Sequence, residues 1–251
     1  MSTPAQSPTP RNATAVIVGA GDYIGAEIAK KFAAEGYLVF VGRRQAEKLE
    51  PLKAEIEAFG GRVVARGLDA RDEDQMSAFY AEAEAAAPIE VSVFNIGANV
   101  NYPLLETTSR VFRKVWEMAC YAGFLSGREA ARHMSPRGSG SIFFTGATAG
   151  LRGGAGYAAF AAAKFGLRAV AQSTARELGP KGIHVAHLVI DSGVDTAWVR
   201  ERIQQAQQAG QTRDRVLMRP TAVAEAYWAL HQQPADAWTF EHEIRPSVEP
   251  W

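Results

Sequence analysis

Chemistry is most readily placed in this 251-residue chain at Gly19-Ala20-Gly21-Asp22-Tyr23-Ile24-Gly25, a run that follows a short apolar stretch and opens a helical pattern. Bare backbone and the free N–H groups of a helix N-terminus can hold a pyrophosphate; a tight turn that binds nothing has the same composition. About twenty residues beyond this turn stand Arg43 and Arg44, where an acidic residue would select NAD and an arginine would take a 2′-phosphate. The pair points to NADP(H) in preference to NAD(H), the alternative being a solvated turn. Asp69 ends the third apolar segment at the same edge, where it could accept a hydrogen bond from adenine or cap the following helix. His184 and His187 lie three apart on one strand pattern, face opposite sides and share no metal, so no metal site is expected.

The elements that must position these groups follow from apolar periodicity. Short runs at Ala15 to Val18, Leu38 to Val41, Val63 to Arg66, Val91 to Phe94, Ser141 to Thr145 and Val185 to Ile190 read as strands buried on both faces, with a seventh near Phe240 to Ile244. Between them, Ile24, Ile28 and Phe32 repeat at helical spacing before Gly36. Further helices are expected over Glu47 to Ala58, Glu73 to Ala86, Ser109 to Met134 and Gly156 to Leu178. This alternation predicts an α/β single domain, a Rossmann-like doubly wound parallel sheet of about seven strands with helices on both faces and ligands at the strands' carboxyl ends. Residues 1–11 read as a flexible tail and 12–251 as the domain. Equal counts of 27 basic and 27 acidic residues leave no excess charge for nucleic acid or an anionic membrane surface, and no apolar stretch is long enough to span a bilayer. With the lone Cys120 unable to form an internal disulfide, the expectation is a cytoplasmic protein.

VIVGAGDYIG, the arginine pair, LDARDED, FNIGAN and AFAAAKFGLRAVAQSTARELGPKGIHVAHLV together resemble the short-chain dehydrogenase/reductase family from about Ala13 to Thr196. The resemblance implies a Rossmann-like core, a nicotinamide cofactor, a small-molecule substrate, and a homodimer or homotetramer packed through two long helices. Carried onto this chain, it gives a cofactor set of Gly19, Gly21, Tyr23, Ile24, Gly25, Arg43, Arg44, Asp69, Asn95, Gly97, Lys164 and Thr196. In the family's glycine motif, the threonine position is Val18 and the middle glycine is Tyr23, which sets a bulky ring beside the pyrophosphate path. Of the family's Asn, Ser, Tyr and Lys proton-handling group, the aligned positions read Cys120, Ala147, Phe160 and Lys164, an atypical catalytic site. The resemblance implies that Lys164 holds the nicotinamide ribose, with Thr196 at the carboxamide.

A carbonyl reduction needs a proton as well as a hydride, and phenylalanine has none to give. Tyr157, at i−3 from Phe160 and i−7 from Lys164 on one helical face, is the substitute donor, or else a ring lining the pocket. Its Cα would lie about 4.5 Å nearer the helix start than that of Phe160, so direct action requires a shifted helix start or a higher substrate. Thr145 and Thr148 could orient a carbonyl oxygen, Thr148 being the better placed. Asp191 is either a general acid or a loop-bracing carboxylate, and Cys120 reads as a small buried hydrophobe. Around 193–220 the family carries its substrate lid; here Trp198 to Pro220 read as helical, and Arg200, Arg202, Arg213 and Arg215 could grip an anion or face solvent. Terminal Trp251 could dock on a neighbour. The reading is an NADP(H)-dependent oxidoreductase acting on a carbonyl or alcohol with a nonstandard proton donor. Its alternatives are a catalytically inactive nucleotide-binding or scaffold protein, and a lyase or isomerase using the same cleft.

Overall fold

Apolar runs buried on both faces force helices onto both sides of a sheet, and the computed structural model, which describes residues 7–208, 210 and 216–249, has this arrangement. Strands β1 (Thr14–Val18), β2 (Leu38–Arg43), β3 (Arg62–Gly67), β4 (Ile89–Phe94), β5 (Gly140–Ala147), β6 (Ile183–Ile190) and β7 (Glu241–Ile244) form one parallel sheet in the order β3-β2-β1-β4-β5-β6-β7. Alternate residues of β1 divide between two cores. Ala15 and Ile17 pack with Ile28 and Phe32 of α1 (Ile24–Ala34) and Ile56 of α2 (Glu50–Ala58). Val16 and Val18 pack with Met76 and Tyr80 of α3 (Glu73–Ala86), Leu125 of α5 (Ala122–Met134) and Leu167 of α6 (Ala158–Leu178). The chain leaves β1 toward β2 on one side, while β4 lies on the other, so a crevice opens at the carboxyl ends of β1 and β4.

Three expected helices are interrupted or shortened. The one expected over Glu47 to Ala58 begins as a 3-10 turn, Ala46–Leu49, and becomes α-helical only at Glu50, because Pro51 has no N–H for the carbonyl of Glu47. The long helix over Ser109 to Met134 is α4 (Ser109–Trp116), a π turn at Glu117–Tyr121 and α5, and the wide turn carries Cys120 against α6. The approach there is close, since a Cβ on Gly166 would lie 2.7 Å from Cys120 Sγ. Helix α6 starts at Ala158, two residues later than expected, because Gly156 has φ +81° and Tyr157 is not helical.

The segment expected to be helical from Trp198 to Pro220 is helical only over α7 (Ala197–Gln208); Val194 then bridges Met218, and a separate helix α8 (Pro220–His231) follows. Pro at its first position and Val223, Tyr227 and Leu230 at helical spacing are the signal for α8. Arg213, Arg215 and Trp251 lie outside the described residues. In the N-terminal segment expected to be flexible, Arg11 is tied down. Its backbone N–H donates to Gly36 O at 2.8 Å, its Nε donates to Glu35 O at 2.8 Å, and its carbonyl accepts from Arg62 at 2.6 Å. These bonds use carbonyls left open by the end of α1. Among the described residues no helix is long and apolar enough to cross a membrane.

His184 stacks on Trp238 on one face of β6, while His187 Nδ1 donates to Glu241 Oε2 at 3.1 Å on the other. His231 sits between the Tyr37 hydroxyl at 2.8 Å and the Ser141 hydroxyl at 2.9 Å. Burial lowers the pKa of both His187 and His231 to about 4, so both are neutral at pH 7. In the unfolded chain they take up protons near pH 6.5, which favours unfolding as the pH falls from there toward 4. The expected outcome is a melting temperature that drops across that window and drops less steeply in His231→Gln; equal slopes would remove His231 from the account. A Cβ on Gly25 would lie 2.4 Å from Gly19 O, so Gly25→Ala should cost about 2 kcal/mol in urea unfolding.

Candidate functional site

At the crevice the glycine turn folds over the end of β1. Gly19 has φ +92°, and a Cβ there would lie 2.8 Å from Ile96 Cγ1, so turn and β4 loop touch directly. Gly21 and Gly97 differ: a Cβ at either would meet nothing within 4 Å, which leaves open space beside bare backbone. Asn95 locks the two segments, its Nδ2 donating to Gly19 O at 3.2 Å and its Oδ1 accepting from Thr145 Oγ1 at 3.0 Å. The Thr145 hydroxyl in turn meets that of Tyr227 at 2.7 Å, so Thr145 is committed to the interior.

Two cavities meet at Ile24, Asn95, Ile96 and Gly97. One, of about 460 Å³, lies over the glycine turn and is lined by Gly21, Tyr23, Arg44, Asp69 and Thr196; the other, of about 1050 Å³, extends past Lys164 toward α7. In the smaller hollow Arg43 is already engaged, donating to Asp22 at 2.6 Å and to Lys48 O at 3.3 Å. Arg44 has no ion-pair partner among the described residues. Asp69 is gripped by Arg71 at 2.9 and 2.5 Å, and this hydrogen-bonded guanidinium holds its carboxyl below the usual range. The following helix is capped by Asp72, which accepts from Gln75 N at 3.0 Å, so the capping role considered for Asp69 falls to its neighbour. The Tyr23 hydroxyl accepts from Ala197 N at 3.0 Å, carrying the ring from the turn to the start of α7. Thr196 Oγ1 accepts from Val199 N at 3.2 Å; its hydroxyl closes the first turn of α7, and the residue faces the smaller hollow.

In the larger cleft Lys164 is 2% exposed and donates from Nζ to Thr145 O at 2.8 Å and Ile96 O at 3.3 Å, with the Phe160 ring 6.0 Å away. No carboxylate pairs with it among the described residues, and burial lowers its pKa to about 8. Its charge acts on Cys120, whose thiol burial nevertheless pushes up, so Cys120 is a poor nucleophile. Thr148 donates to Asp191 Oδ1, and Arg245 donates to the other carboxylate oxygen at 2.5 Å. With both oxygens occupied, Asp191 braces the cleft wall, the second of its two readings. Tyr157, half-buried, lines the same cleft, and its hydroxyl has no hydrogen-bond partner among the described residues. Arg202 also lines the cleft, whereas Arg200 is held by Asp195 at 2.5 and 2.6 Å away from it. Sequence reading missed Arg71, Tyr227 and Arg245. Only Arg71, two residues from Asp69, left a local signal.

A family model described as short chain dehydrogenase matches residues 13–207. A solved short-chain dehydrogenase from Rhodopseudomonas palustris is 65% identical, and the superposition covers 94% of this chain and 100% of that one with a TM-score of 0.82. A metagenomic short-chain oxidoreductase in complex with NADP is 25% identical over 95% of this chain and 99% of its own, with a TM-score of 0.76. The curated cis-4-hydroxycyclohexanecarboxylate dehydrogenase of Sinomonas cyclohexanicum is 33% identical over 221 residues, which are 84% of this chain and 86% of that protein. The parallel sheet, the crevice at its carboxyl edge and these matches lead to one assignment: the chain belongs to the short-chain dehydrogenase family of oxidoreductases.

Proposed function

We propose that the protein is an NADP(H)-dependent oxidoreductase that interconverts a carbonyl compound and an alcohol, with an atypical proton donor. The observation that carries this reading is the buried Lys164 ammonium in the larger cavity, held by main-chain carbonyls alone, one of them that of Ile96 where the two cavities meet. Burying an ammonium is costly unless it is matched, and an incoming ligand rich in hydroxyl and phosphate oxygens would match it. The residues fit a dinucleotide: Gly21 and Gly97 leave space against backbone, and Arg44 offers a guanidinium with no carboxylate at ion-pair distance among the described residues. The NADP-bound relative and the dehydrogenase of a hydroxylated compound support the same class. When bound, the nicotinamide supplies or takes up the hydride.

The chain's own residues then divide the remaining tasks. N–H groups of the glycine turn hold the pyrophosphate, Arg44 takes the 2′-phosphate, and Lys164 holds ribose hydroxyls. Asp69 faces the adenine side, and Thr196 and Tyr23 close the hollow beneath α7. Phe160 and Ala147 carry no transferable proton, so the phenol of Tyr157 serves as donor. Its non-helical position just before the start of α6 supports that role. Thr148, whose hydrogen is directed at Asp191, can accept from an alcohol O–H but does not donate to a carbonyl while that bond stands. Residues 193–220 act as the substrate lid. The reading extends to a cytoplasmic homodimer or homotetramer, for which exposed Trp116, Phe124 and Phe165 on α4, α5 and α6 supply apolar surface.

Fluorescence titration tests the cofactor assignment: NADPH should bind in the micromolar range and more tightly than NADH. Arg44→Ala should weaken NADPH about tenfold while leaving NADH unchanged, and Gly21→Ala should weaken both with the melting temperature unaltered. Binding of neither nucleotide would overturn the proposal. Lys164 loses its charge above about pH 8 in the free protein, and bound phosphates would favour its charged form. Binding therefore takes up a proton above that pH, and NADPH affinity should fall from pH 8 upward, a dependence absent in Lys164→Met. Tyr157→Phe should lower turnover about a hundredfold with NADPH affinity intact. Bound NADPH that no carbonyl compound consumes would favour the noncatalytic or non-redox alternatives.

A further inference from the structure

Helix α7 presents one stripe to the larger cleft: Trp198, Arg202 and Ala206 at four-residue spacing, with Val199, Ile203 and Gln207 beside them. Arg202 lies on that stripe with its guanidinium 4.9 Å from the Trp198 ring centroid, and it has no ion-pair partner among the described residues. On the loop after β5, Arg152 lines the same cleft. Its nearest carboxylate is Asp191 at 3.7 Å, whose oxygens already hold Thr148 and Arg245. The other titratable groups on the cleft wall are Lys164, Tyr157, Asp191 and Glu249, so the cations outnumber the carboxylates and Asp191 is neutralised by Arg245. The wall of the cleft also carries Phe160, Trp198 and Leu217.

We infer that the substrate is an anion: a carboxylate-bearing carbonyl or alcohol compound with an apolar body. Arg202 and Arg152 hold its carboxylate at the mouth of the cleft, and the apolar body packs along Trp198 and Phe160 toward Lys164. The inference rests on the oxidoreductase reading and deepens it. A guanidinium offers paired N–H donors that match a carboxylate, and both arginines keep exposed side chains that an incoming anion can reach. Arg202 is specific in this respect, because Arg200, two residues away on the same helix, is engaged by Asp195 and does not line the cleft.

Calorimetric titration of the purified protein with benzoate and with benzamide, with and without NADPH, tests the inference. The two probes share a ring and differ in charge. Benzoate should bind more tightly than benzamide, and its affinity should weaken as salt is raised from low ionic strength. Arg202→Gln and Arg152→Gln should each weaken benzoate about fivefold or more, while leaving benzamide and NADPH affinities unchanged. Arg200→Gln should leave benzoate binding as it is. Benzamide binding as tightly as benzoate, or benzoate affinity unaltered in both Arg152 and Arg202 variants, would overturn the inference. NADPH affinity reports separately on the oxidoreductase reading: if NADPH does not bind while benzoate is still captured through the two arginines, that reading falls and the anion site stands.

Discussion

A lysine ammonium buried without a carboxylate is the constraint around which the crevice is built. Removing such a charge from water costs several kcal/mol even after relaxation, and Lys164 recovers part of this from the carbonyls of Thr145 and Ile96. Those two carbonyls belong to the end of β5 and the loop after β4, so the same contacts pin α6 across the carboxyl edge of the sheet. The neighbouring spine is polar as well. Tyr227 on α8, Thr145 on β5, Asn95 after β4 and Gly19 after β1 are joined by successive hydrogen bonds through an otherwise apolar layer. Each member is satisfied, which is the condition under which a buried polar network fixes geometry instead of weakening it. Burial correspondingly pushes the Tyr227 phenol up, so it stays protonated and donates.

The two ends of the crevice separate by how their charges are used. Over the glycine turn, Arg43 is engaged by Asp22 and Arg71 by Asp69, and Arg44 alone among these arginines has no ion-pair partner among the described residues. On the cleft side, Arg245 and Thr148 occupy both oxygens of the buried Asp191 carboxylate, and the wall is left net positive. The Tyr23 phenol spans the boundary by accepting from the first residue of α7, so the turn and the helix over it are mechanically linked. At the centre, Phe160 packs with Val115, Ala119 and Cys120. The hydroxyl on this wall that holds no protein partner among the described residues is that of Tyr157, placed outside the helix by Gly156.

Strand positions, sheet type and several helix limits were legible in the sequence because they depend on near neighbours. Val16 to Val18, or Val185 to Ile190 with His187 alone polar, can be so apolar only if both faces are covered. The limits Glu73 and Ala86 follow from Asp72, which caps the first turn through Gln75, and from Pro88 just beyond the end. The glycine turn and the arginine pair were visible as residue types at fixed spacing, and Lys164 through the family resemblance. The break at Glu117–Tyr121 was not, because nothing in the amphipathic pattern of Ser109 to Met134 distinguishes a π turn from an α turn.

What tertiary structure alone decided is which charge meets which. Sequence offered Arg43 and Arg44 as equals; Asp22, twenty-one residues away, engages the first and leaves the second. It offered Asp191 as acid or brace, and Arg245, fifty-four residues away, settled that it braces. It placed Arg200 and Arg202 on one helix, and only the packing of α7 over the cleft sets the second along its wall. Periodicity encodes burial, an average over a face that short-range spacing controls. An ion pair depends on a separation of a few ångströms between groups far apart in the chain, and that separation exists only after the elements have packed.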